Sequence, residues 1–460
     1  MSQLIRRLDS FVRPYYTADN RLWVGLSGGL DSVTLLHALL AAGFPPQRLG
    51  AVHVHHGLSA NADAWQAFCE RLCQRLNIPF SAHSVALVSS GNGIEQDARE
   101  ARYEVFRRVP DEGDVLLLAH HGNDQAETFF QRLFRGAGLA GLGAMAAARP
   151  LRPGVTLLRP WLDTARSELE NWAREEQLQW VDDESNADTA LERNWWRHDI
   201  LPAVFRRYPG REKTLLRSVR QLGQDQQVLA QLMAPITDQC LRTEHWPNTA
   251  PLVCDLDALA AQHNDYVPYI LRDWLNRLNQ RIPSADWLER LQREVIHAAS
   301  DKQPQLKIAA ASVRRFHNGL YLVADGPAPG DTHALTLHAG QSVSTPWAGG
   351  CLQVQPATRG AGLRPGGYQL VAAAAVRGQR IQPAGRPAKT LKAVFQENAV
   401  PVWLRDHWPV LTLNDDLVAL PGLTIGADFS VTADKDGSND DAALMVSWQA
   451  DSGSHGLWNL

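Results

Sequence analysis

The segment Ser27-Gly28-Gly29-Leu30-Asp31-Ser32 has the residue types needed to hold phosphate groups. It follows the apolar stretch Leu22 to Leu26 and leads into a pattern of helical periodicity. Its two glycines can adopt positive φ and have no Cβ, so backbone N–H groups can converge on one point near the positive end of the next helix dipole. Its two serines add hydroxyl donors. The segment therefore predicts a phosphate-binding turn between a strand and a helix.

Asp31 adds a negative charge beside this predicted phosphate site. A carboxylate next to a polyphosphate is favourable chiefly when Mg²⁺ bridges the two, so Asp31 is a candidate ligand of Mg²⁺. The segment has neither the Lys of a G-x-x-x-x-G-K-[ST] loop nor the spacing of a G-x-G-x-x-G dinucleotide site. Two glycines followed by a capping Asp would by themselves indicate only a connection between a strand and a helix.

Asp124 and Glu127 are a second pair of candidate functional residues. They are three residues apart at the start of a helical pattern, so both can face one site at the carboxyl ends of the strands. Ligands bind at that edge in open α/β sheets. The alternative is that two acids at a helix N-terminus only complement the helix dipole.

The segment from Arg193 to Arg220 is strongly basic. Its eight basic residues stand against two acids, which gives a local net charge of +6. This excess favours contact with RNA phosphates, although a solvated helix face is the alternative because Arg-rich helices are common. The eight residues are Arg193, Arg197, Arg206, Arg207, Arg211, Lys213, Arg217 and Arg220.

Short apolar runs alternate with longer helical patterns up to residue 120 or so, and this order predicts an α/β fold with a parallel sheet. The predicted strands are Leu22 to Leu26, Leu49 to His53, Pro79 to Val85 and Val115 to Ala119. The predicted helices are Asp31 to Ala42, Ala62 to Leu76, Ile94 to Val109, Asp124 to Phe134 and Arg166 to Gln177, the last with Asp163 and Thr164 as caps.

The rest of the chain indicates further domains. We predict an α/β domain over 1–210, a helical domain over 211–325, a linker with short strands over 326–367, and a smaller α+β domain over 368–440. The linker is suggested by Gly326 to Gly330, the strands by Leu335 to Val354, and one short helix by Thr390 to Glu397. The charged stretch Asp434 to Asp441 is predicted to be frayed.

The composition excludes several classes of protein. The 460 residues are 45% hydrophobic and 20% charged with a net charge of −4, which is ordinary for a folded domain protein and lacks the overall basic excess of many nucleic-acid binders. No apolar run is long enough for a membrane span. The five cysteines are scattered and odd in number, so we expect a reducing cytoplasm and no disulfide framework. Cys69 and Cys73 lie four apart on a predicted helix, and we expect them to be buried away from the glycine turn rather than to bind a metal.

The whole context of S-G-G-L-D-S after the first strand resembles the pyrophosphate-binding loop (PP-loop) of ATP pyrophosphatases, which have an adenine-nucleotide hydrolase-like fold. Further stretches resemble the bacterial tRNA(Ile)-lysidine synthetase family. They are V-H-V-H-H-G-L-S at 52–59, A-H-H-G-N-D-Q-A-E-T at 119–128, D-D-E-S-N at 182–186, R-N-W-W-R-H-D-I-L-P at 193–202, and the tail segment Gly378 to Leu411. The region between 211 and 360 matches that family only in its helical character.

The resemblance implies an enzyme that joins L-lysine to the wobble cytidine of an isoleucine tRNA with the anticodon CAU. ATP would adenylate the C2 oxygen of the base, and the ε-amine of lysine would then attack C2 and expel AMP. ATP, Mg²⁺, lysine and this tRNA are the implied ligands, and no membrane is implied. Catalysis is then expected in 1–210, binding of substrate or tRNA in 211–325, and binding of tRNA in 368–440. The sequence leaves the oligomeric state open, a homodimer included.

The resemblance also implies roles for single residues. It implies that Asp124 contacts Mg²⁺ and the α-phosphate, that Glu127 contacts lysine, and that Arg197 neutralises the charge of the adenylate. The family has two adjacent aspartates where this chain has Asn123-Asp124. An amide brings no charge, so we expect Asn123 to weaken one metal contact. The histidines at 55, 56, 120 and 121 are expected to be strand-end residues near the nucleotide, not zinc ligands.

Two rival interpretations remain open at this stage. A tRNA thiolase of the same superfamily would activate the base similarly, but it needs reactive cysteines, and no C-x-x-C is present. A non-catalytic ATP-binding or RNA-binding protein is the other, favoured only by Asn123. In the tail, Arg380, Arg386, Lys389 and Lys392 lie near Trp403 and Arg405, which predicts a second surface for RNA.

Overall fold

The computed structural model describes residues 2–87, 93–182, 192–280, 284–299, 303–326, 332–345, 347, 349–357, 361–432 and 443–450. Most of D-D-E-S-N at 182–186, of the predicted linker at 326–330 and the whole of 434–441 lie outside these residues. The chain divides into two compact units, 1–229 and 230–460. No helix in the described part of the chain is long and apolar enough to cross a membrane.

The first unit contains a six-stranded sheet of order β3-β2-β1-β4-β6-β5. Neighbouring strands are parallel, except that β5 runs antiparallel to β6. The strands are β1 (Leu22–Gly25), β2 (Leu49–His55), β3 (Phe80–Ser84), β4 (Val115–Leu117), β5 (Ala148–Arg152) and β6 (Val155–Leu158). The α/β fold with a parallel sheet, predicted from the alternation of patterns, is confirmed.

Helices cover this sheet and continue beyond it. They are α1 (Gln3–Val12), α2 (Leu30–Ala41), α3 (Ala62–Leu76), α4 (Ile94–Arg108), α5 (Gly122–Phe134), α6 (Leu139–Leu142), α7 (Arg166–Glu175), α8 (Glu192–Trp195), α9 (Leu201–Arg207) and α10 (Arg211–Gln239). A π-helical turn, Trp196–Ile200, joins α8 to α9. The division between the two compact units falls inside α10.

The sheet of the first unit is buried on both faces, which is why its strands are continuously apolar. Along β1, Leu22 and Val24 pack into one hydrophobic cluster with helices α1 and α2, whereas Trp23 points into the cluster on the other face. Trp23 also donates from its indole N–H to Asp114 at 2.9 Å. This register sends the chain out of β1 at the carboxyl edge of the sheet, directly into the glycine turn.

The helix boundaries predicted from the sequence are close to those observed, with one wrong cap. Helix α7 is capped by the backbone of Ala165, not by Asp163 or Thr164. Asp163 instead pairs with Arg220 at 2.9 Å, and the carbonyl of Thr164 accepts a hydrogen bond from Gly122 at 2.8 Å. Both residues thus join the start of α7 to neighbouring helices.

The second unit contains, after the end of α10, a sheet that was not predicted from the sequence, because this region was interpreted as mostly helical. Its five strands have the order β7-β8-β11-β10-β9, and all described pairs are antiparallel. They are β7 (Leu241–Thr243), β8 (Leu252–Asp255), β9 (Gln305–Ile308), β10 (Ala311–Phe316) and β11 (Gly319–Ala324), with helices α11 (Leu256–Ala260), α12 (Val267–Arg277) and α13 (Ala285–Arg290) between them. The middle region is therefore helical in part and has its own antiparallel sheet.

Two more five-stranded sheets complete the second unit, in the orders β12-β16-β19-β20-β21 and β13-β14-β23-β15-β22. Strands β17 and β18, which lie between β16 and β19 in the sequence, form a separate two-stranded sheet. The strands are β12 (His333–Leu337), β13 (Ser342–Thr345), β14 (Gly350–Pro356), β15 (Ala361–Leu363), β16 (Gly366–Ala372), β17 (Arg380–Ile381), β18 (Lys389–Thr390), β19 (Pro409–Leu413), β20 (Asp416–Leu420), β21 (Thr424–Ile425), β22 (Ser430–Thr432) and β23 (Leu444–Ala450). The helices are α14 (Leu391–Glu397) and α15 (Val402–Arg405). Strands on both sides of residue 368 share these sheets.

Candidate active site

The glycine turn between β1 and α2 has the conformation that its sequence requires. Gly28 has a φ of +89°, and a Cβ added there would lie 3.0 Å from Val181 Cγ2 and 3.1 Å from Cys69 Sγ. The hydroxyls of Ser27 and Ser32 lie 3.1 Å apart, and Ser32 accepts a hydrogen bond from the backbone N–H of Ser27 at 3.1 Å. Any side chain at 28 would therefore both strain the backbone and crowd the residues behind the turn.

Asp31 lies in the first turn of α2, with its side chain partly exposed above the glycine turn. Its Oδ2 is 3.6 Å from Nε2 of His121, and its Oδ1 is 3.8 Å from Nε of Arg166. Oδ1 is buried, and no described residue makes a hydrogen bond to it. A buried acceptor without a hydrogen-bond partner costs free energy unless a bound ligand supplies that partner. Oδ1 of Asp31 is therefore available to coordinate a ligand.

Two carboxylates and two guanidinium groups form an ion network beside Asp31. Arg193 donates from Nη2 to Asp124 at 2.6 Å and from Nε to Glu127 at 2.7 Å. Arg197 donates from Nη2 to Asp124 at 3.1 Å and from Nε to Glu127 at 2.7 Å. The side chain of Glu127 is 1% exposed and that of Asp124 is 9% exposed. We call these four residues the ion network.

Helix spacing explains how four residues from distant parts of the sequence meet here. Asp124 and Glu127 are three apart on the first turn of α5, and Arg193 and Arg197 are four apart where α8 passes into the π-helical turn. Each pair therefore lies on one helix face. The sequence predicted Arg197 in the site but missed Arg193, although their spacing of four was the signal that both would face the same way.

His121 connects Asp31 to the ion network. Its Nε2 lies 3.6 Å from Asp31 Oδ2 and 3.5 Å from Asp124 Oδ2, and its backbone N–H donates to Asp124 at 3.0 Å. The backbone at 121 also pairs with Trp161 beyond β6, which fixes it at the sheet edge. The sequence predicted His121 near the nucleotide but gave it no role. The structure shows that its ring lies between the carboxylates of Asp31 and Asp124.

The charges in this site shift the pKa values of its members in opposite directions. Burial alone would raise the pKa of Asp124, but His121 and the two arginines of the ion network hold it well below its ordinary value. Burial alone would lower the pKa of His121, but the carboxylates of Asp124, Asp31 and Glu127 raise it above its ordinary value. The same contacts therefore favour the ionised form of Asp124 and the protonated form of His121.

The two predicted metal ligands differ in their fit to a cation. Asp31 has a carboxylate oxygen without a hydrogen-bond partner among the described residues, which suits a hard cation. Both oxygens of Asp124 are already engaged, one by the two arginines and the other by His121. No group of three or more His, Cys, Asp or Glu within the described ranges forms a ready metal cage. A cation at Asp124 would first have to displace one of its present partners.

Asn123 does not point into this site. Its Oδ1 accepts a hydrogen bond at 3.0 Å from the backbone N–H of Arg166, the first residue of α7. In this arrangement its side chain ties α5 to the start of α7, and the expectation that Asn123 weakens a metal contact stays a prediction. An orphan N–H at a helix start needs such an acceptor.

We expect Asn123→Asp to leave activity within about twofold of the parent, because a carboxylate can accept the same hydrogen bond from Arg166 and favours a helix N-terminus. Steady-state rates over a Mg²⁺ titration measure this. Asn123→Ala is the matched variant that removes the acceptor, and it should lower the melting temperature without changing the Mg²⁺ optimum. A shifted Mg²⁺ requirement in Asn123→Asp would show that residue 123 does face the metal.

The other histidines and the cysteines take structural positions. His53 donates from Nδ1 to the carbonyl of Leu26 at 2.9 Å. Burial lowers the pKa of His120 to about 3, so that ring is neutral. Cys69 and Cys73 are fully buried, and burial raises the pKa of each thiol to about 12. The expected burial is confirmed, but Cys69 lies directly behind the glycine turn rather than away from it. A thiol with so high a pKa is a poor nucleophile.

The basic segment of the tail is only partly available for RNA. Lys389 pairs with Glu397 at 2.7 Å, and Arg405 donates to the carbonyl of Val400 at 3.0 Å, whereas Arg386 and Lys392 are exposed. The ring centroid of Trp403 lies 5.3 Å from that of Tyr321 at an interplanar angle of 55°, and its indole N–H donates to Thr249 at 3.3 Å. The half-buried ring of Trp403 thus joins the middle sheet to α15, and its contribution to an RNA surface stays a prediction.

Three models of known protein families match parts of this chain. A PP-loop domain model matches residues 1–204, a TilS substrate binding domain matches 255–321, and a TilS substrate C-terminal domain matches 371–444.

Curated relatives cover nearly the whole chain. The tRNA(Ile)-lysidine synthase of Shigella flexneri is 36% identical over 411 residues, which are 88% of this chain and 92% of the relative. That of Salmonella typhi is 35% identical over 423 residues, 91% of this chain and 96% of the relative. Among solved structures, a U34-tRNA thiolase from Methanococcus maripaludis has a TM-score of only 0.41 at 19% identity, covering 48% of this chain and 78% of its own. The identity and coverage of the two curated relatives show that the chain belongs to the tRNA(Ile)-lysidine synthase family.

Proposed function

We propose that the site at the carboxyl edge of the first sheet joins L-lysine to C2 of the wobble cytidine in an isoleucine tRNA with the anticodon CAU. ATP is split to AMP and pyrophosphate in the process, and the product is lysidine, which changes the codon that the tRNA reads. The observation that carries this proposal is the ion network placed beside Asp31 and the glycine turn. It brings phosphate-binding, carboxylate and guanidinium groups together at one edge of the sheet.

In the first step, the C2 oxygen of the cytidine attacks the α-phosphate of ATP, and pyrophosphate leaves. The glycine turn and the serine hydroxyls at its ends would hold the phosphates near the start of α2. Asp31 would hold Mg²⁺ through its unpartnered oxygen, and Mg²⁺, when bound, would offset the negative charge of the phosphates. Arg197 would neutralise the charge that the adenylate phosphate retains.

In the second step, the ε-amine of lysine attacks C2, the C2–O bond breaks, and AMP leaves with the oxygen. The nucleophile has to lose a proton to become a neutral secondary amine product. Asp124 is a weak base because its pKa is held far below the ordinary value, so the proton passes to Glu127 or to water.

Lysine reaches Glu127 by exchange of cations. Both oxygens of Glu127 are bonded to guanidinium groups, so an incoming ammonium group can bind there only in place of one of them. The exchange leaves the net charge of the buried network unchanged, which avoids the cost of an unpaired buried carboxylate. Arg197, once displaced, is free to turn towards the adenylate. Binding of lysine would thus be coupled to completion of the phosphate site.

The direct test incubates the protein with this tRNA, ATP and isotopically labelled lysine, and quantifies label in the RNA together with AMP and pyrophosphate. One lysine per tRNA and one AMP per lysine are expected. The control substrate is the same tRNA with uridine at the wobble position, which should take up no label. AMP formation without label in the RNA would exclude lysine as the nucleophile, and absence of both would support a binding protein.

A further inference from the structure

The two helices that carry the ion network also carry a group of aromatic rings. Phe130 and Phe134 lie on α5, and Trp195 and Trp196 lie where α8 passes into the π-helical turn. The Trp196 ring stacks on Phe130 with centroids 5.2 Å apart and an interplanar angle of 12°, and on Phe134 at 5.5 Å and 29°. We call these four residues the aromatic surface.

Two rings of the aromatic surface face solvent. Phe134 is 73% exposed and Trp195 is 42% exposed, whereas Trp196, between them in the packing, is only 6% exposed. Trp195 meets Trp196 edge to face with centroids 5.3 Å apart. The exposed rings are therefore held by a buried one, so that little conformational entropy would be lost when a flat ligand stacked on them. A large exposed aromatic held in this way is typical of a binding surface.

The aromatic surface is continuous with the ion network. Glu127, Phe130 and Phe134 are spaced by three and four residues, which places them along one face of α5. Arg197 directly follows Trp196 in the π-helical turn, a feature that is frequent at functional sites. A ligand whose reacting group lies at the ion network would therefore have its next flat group within reach of Phe134.

The charge around the aromatic surface selects among possible occupants. The segment from 193 to 220 carries an excess of six positive charges, and Arg206 and Arg207 on α9 are exposed. A second copy of the same chain would bring the same positive charge to this surface, so self-association here is disfavoured by repulsion. A polyanion with flat apolar faces fits both properties, and single-stranded RNA has that chemistry.

From these observations we propose that Phe134, supported by Trp196, is a stacking platform for one base of the anticodon loop next to the target cytidine. This inference rests on the proposed function, because it takes the RNA loop to be the substrate. Stacking a neighbouring base on Phe134 would hold the loop open while the target base enters the ATP site. Phe134 would thus be a specificity and positioning residue, not a catalytic one.

The test measures the Kd for unmodified tRNA by filter binding, using the full-length protein and Phe134 variants. Stacking on a protein ring typically contributes enough to affinity that Phe134→Ala should raise Kd by about 5- to 30-fold. Phe134→Leu should lose nearly as much, because it keeps apolar bulk without a π-face, and Phe134→Trp should bind as tightly as the parent. Tyr15→Ala is the matched control at an exposed aromatic near the amino ends of the strands, and Kd should not change.

A second arm identifies the base by coupling. The variant and the parent are compared on tRNA carrying an abasic nucleotide at the adenine of the anticodon, or at the nucleotide 5′ of the cytidine. At the stacked position, the abasic change should raise the Kd of the parent protein. On that abasic tRNA, Phe134→Ala should cause no additional rise in Kd.

Three results would overturn the proposal: an unchanged Kd in Phe134→Ala, full binding by Phe134→Leu, or additive effects at both abasic positions. A change in oligomeric state in Phe134→Ala, followed by sedimentation, would assign the surface to a second copy instead. Lysidine formation by the parent protein is measured separately. The stacking proposal can therefore fail while the proposed function stands, and the reverse can also be detected.

Discussion

Asp31→Ala is expected to lower the rate of tRNA-dependent AMP formation by at least about 100-fold, which corresponds to about 2.7 kcal/mol of activation free energy. The reason is that Asp31 offers the buried carboxylate oxygen without a hydrogen-bond partner, beside the glycine turn. Fold stability should barely change. The contacts of Asp31 with His121 and Arg166 are long, 3.6 and 3.8 Å, and such contacts contribute less than about 1 kcal/mol.

The measurement pairs single-turnover AMP formation with thermal melting of the same protein. Asp31→Asn is the matched variant, since it keeps the shape of the side chain but removes the charge, and it should lose most of the activity. Rates within tenfold of the parent in both variants would remove Asp31 from the proposed cation site. A large drop in melting temperature would instead indicate that Asp31 is needed for the fold.

Glu127→Ala is expected to destabilise the first unit by about 3–5 kcal/mol, because it leaves two guanidinium groups beside Asp124 without their main partner in a buried setting. At a few degrees per kcal/mol, the melting temperature should fall by roughly 10 °C. Activity should be lost as well, since Arg193 and Arg197 both take their positions from Glu127. Calorimetry and the lysine-incorporation assay measure the two effects.

Glu104→Ala is the control for this prediction. Glu104 pairs with Arg107 at 3.0 Å on the surface of α4, with 62% of its side chain exposed, and its loss should cost less than about 1 kcal/mol. Glu127→Gln separates charge from packing, because it keeps one acceptor oxygen. It should lie between the parent and Glu127→Ala in stability and should raise the KM for lysine. Equal melting temperatures for Glu127→Ala and Glu104→Ala would contradict a stabilising role for the ion network.

The first sheet and the residues at its carboxyl edge could be predicted from the sequence, because the spacing of nearby residues along the chain determines both. Strand β1, the glycine turn and α2 follow from a short apolar run, two glycines and a helical pattern. Asp31, Asp124, Glu127 and Arg197 were predicted to share one site, and the structure brings them together. Their chemical roles stay predictions, since contacts alone do not show a reaction.

What the sequence could not show depends on pairings between distant residues. The bond from Asn123 to Arg166 spans 43 residues, and no local pattern reveals which N–H an amide will accept from. The sheet of β7 to β11 was missed for a similar reason. Strand β8 pairs with β11 across helices whose periodicity dominates the middle of the sequence, so the region was predicted as helical. The packing of Trp403 against Tyr321 was likewise not predicted, because the two residues lie far apart in the sequence.

The pairing of β14 with β23 has a consequence for the order in which the chain folds. Gly350 pairs with Ala450, so β14 meets its neighbour β23 only after the intervening hundred or so residues have been made. Contacts of such long sequence separation form slowly. During synthesis, β13 and β14 would emerge with an open edge that β23 closes last, and open edges invite pairing with other chains. The sheet that contains β14 and β23 is therefore completed late in synthesis, whereas the first sheet can form much earlier.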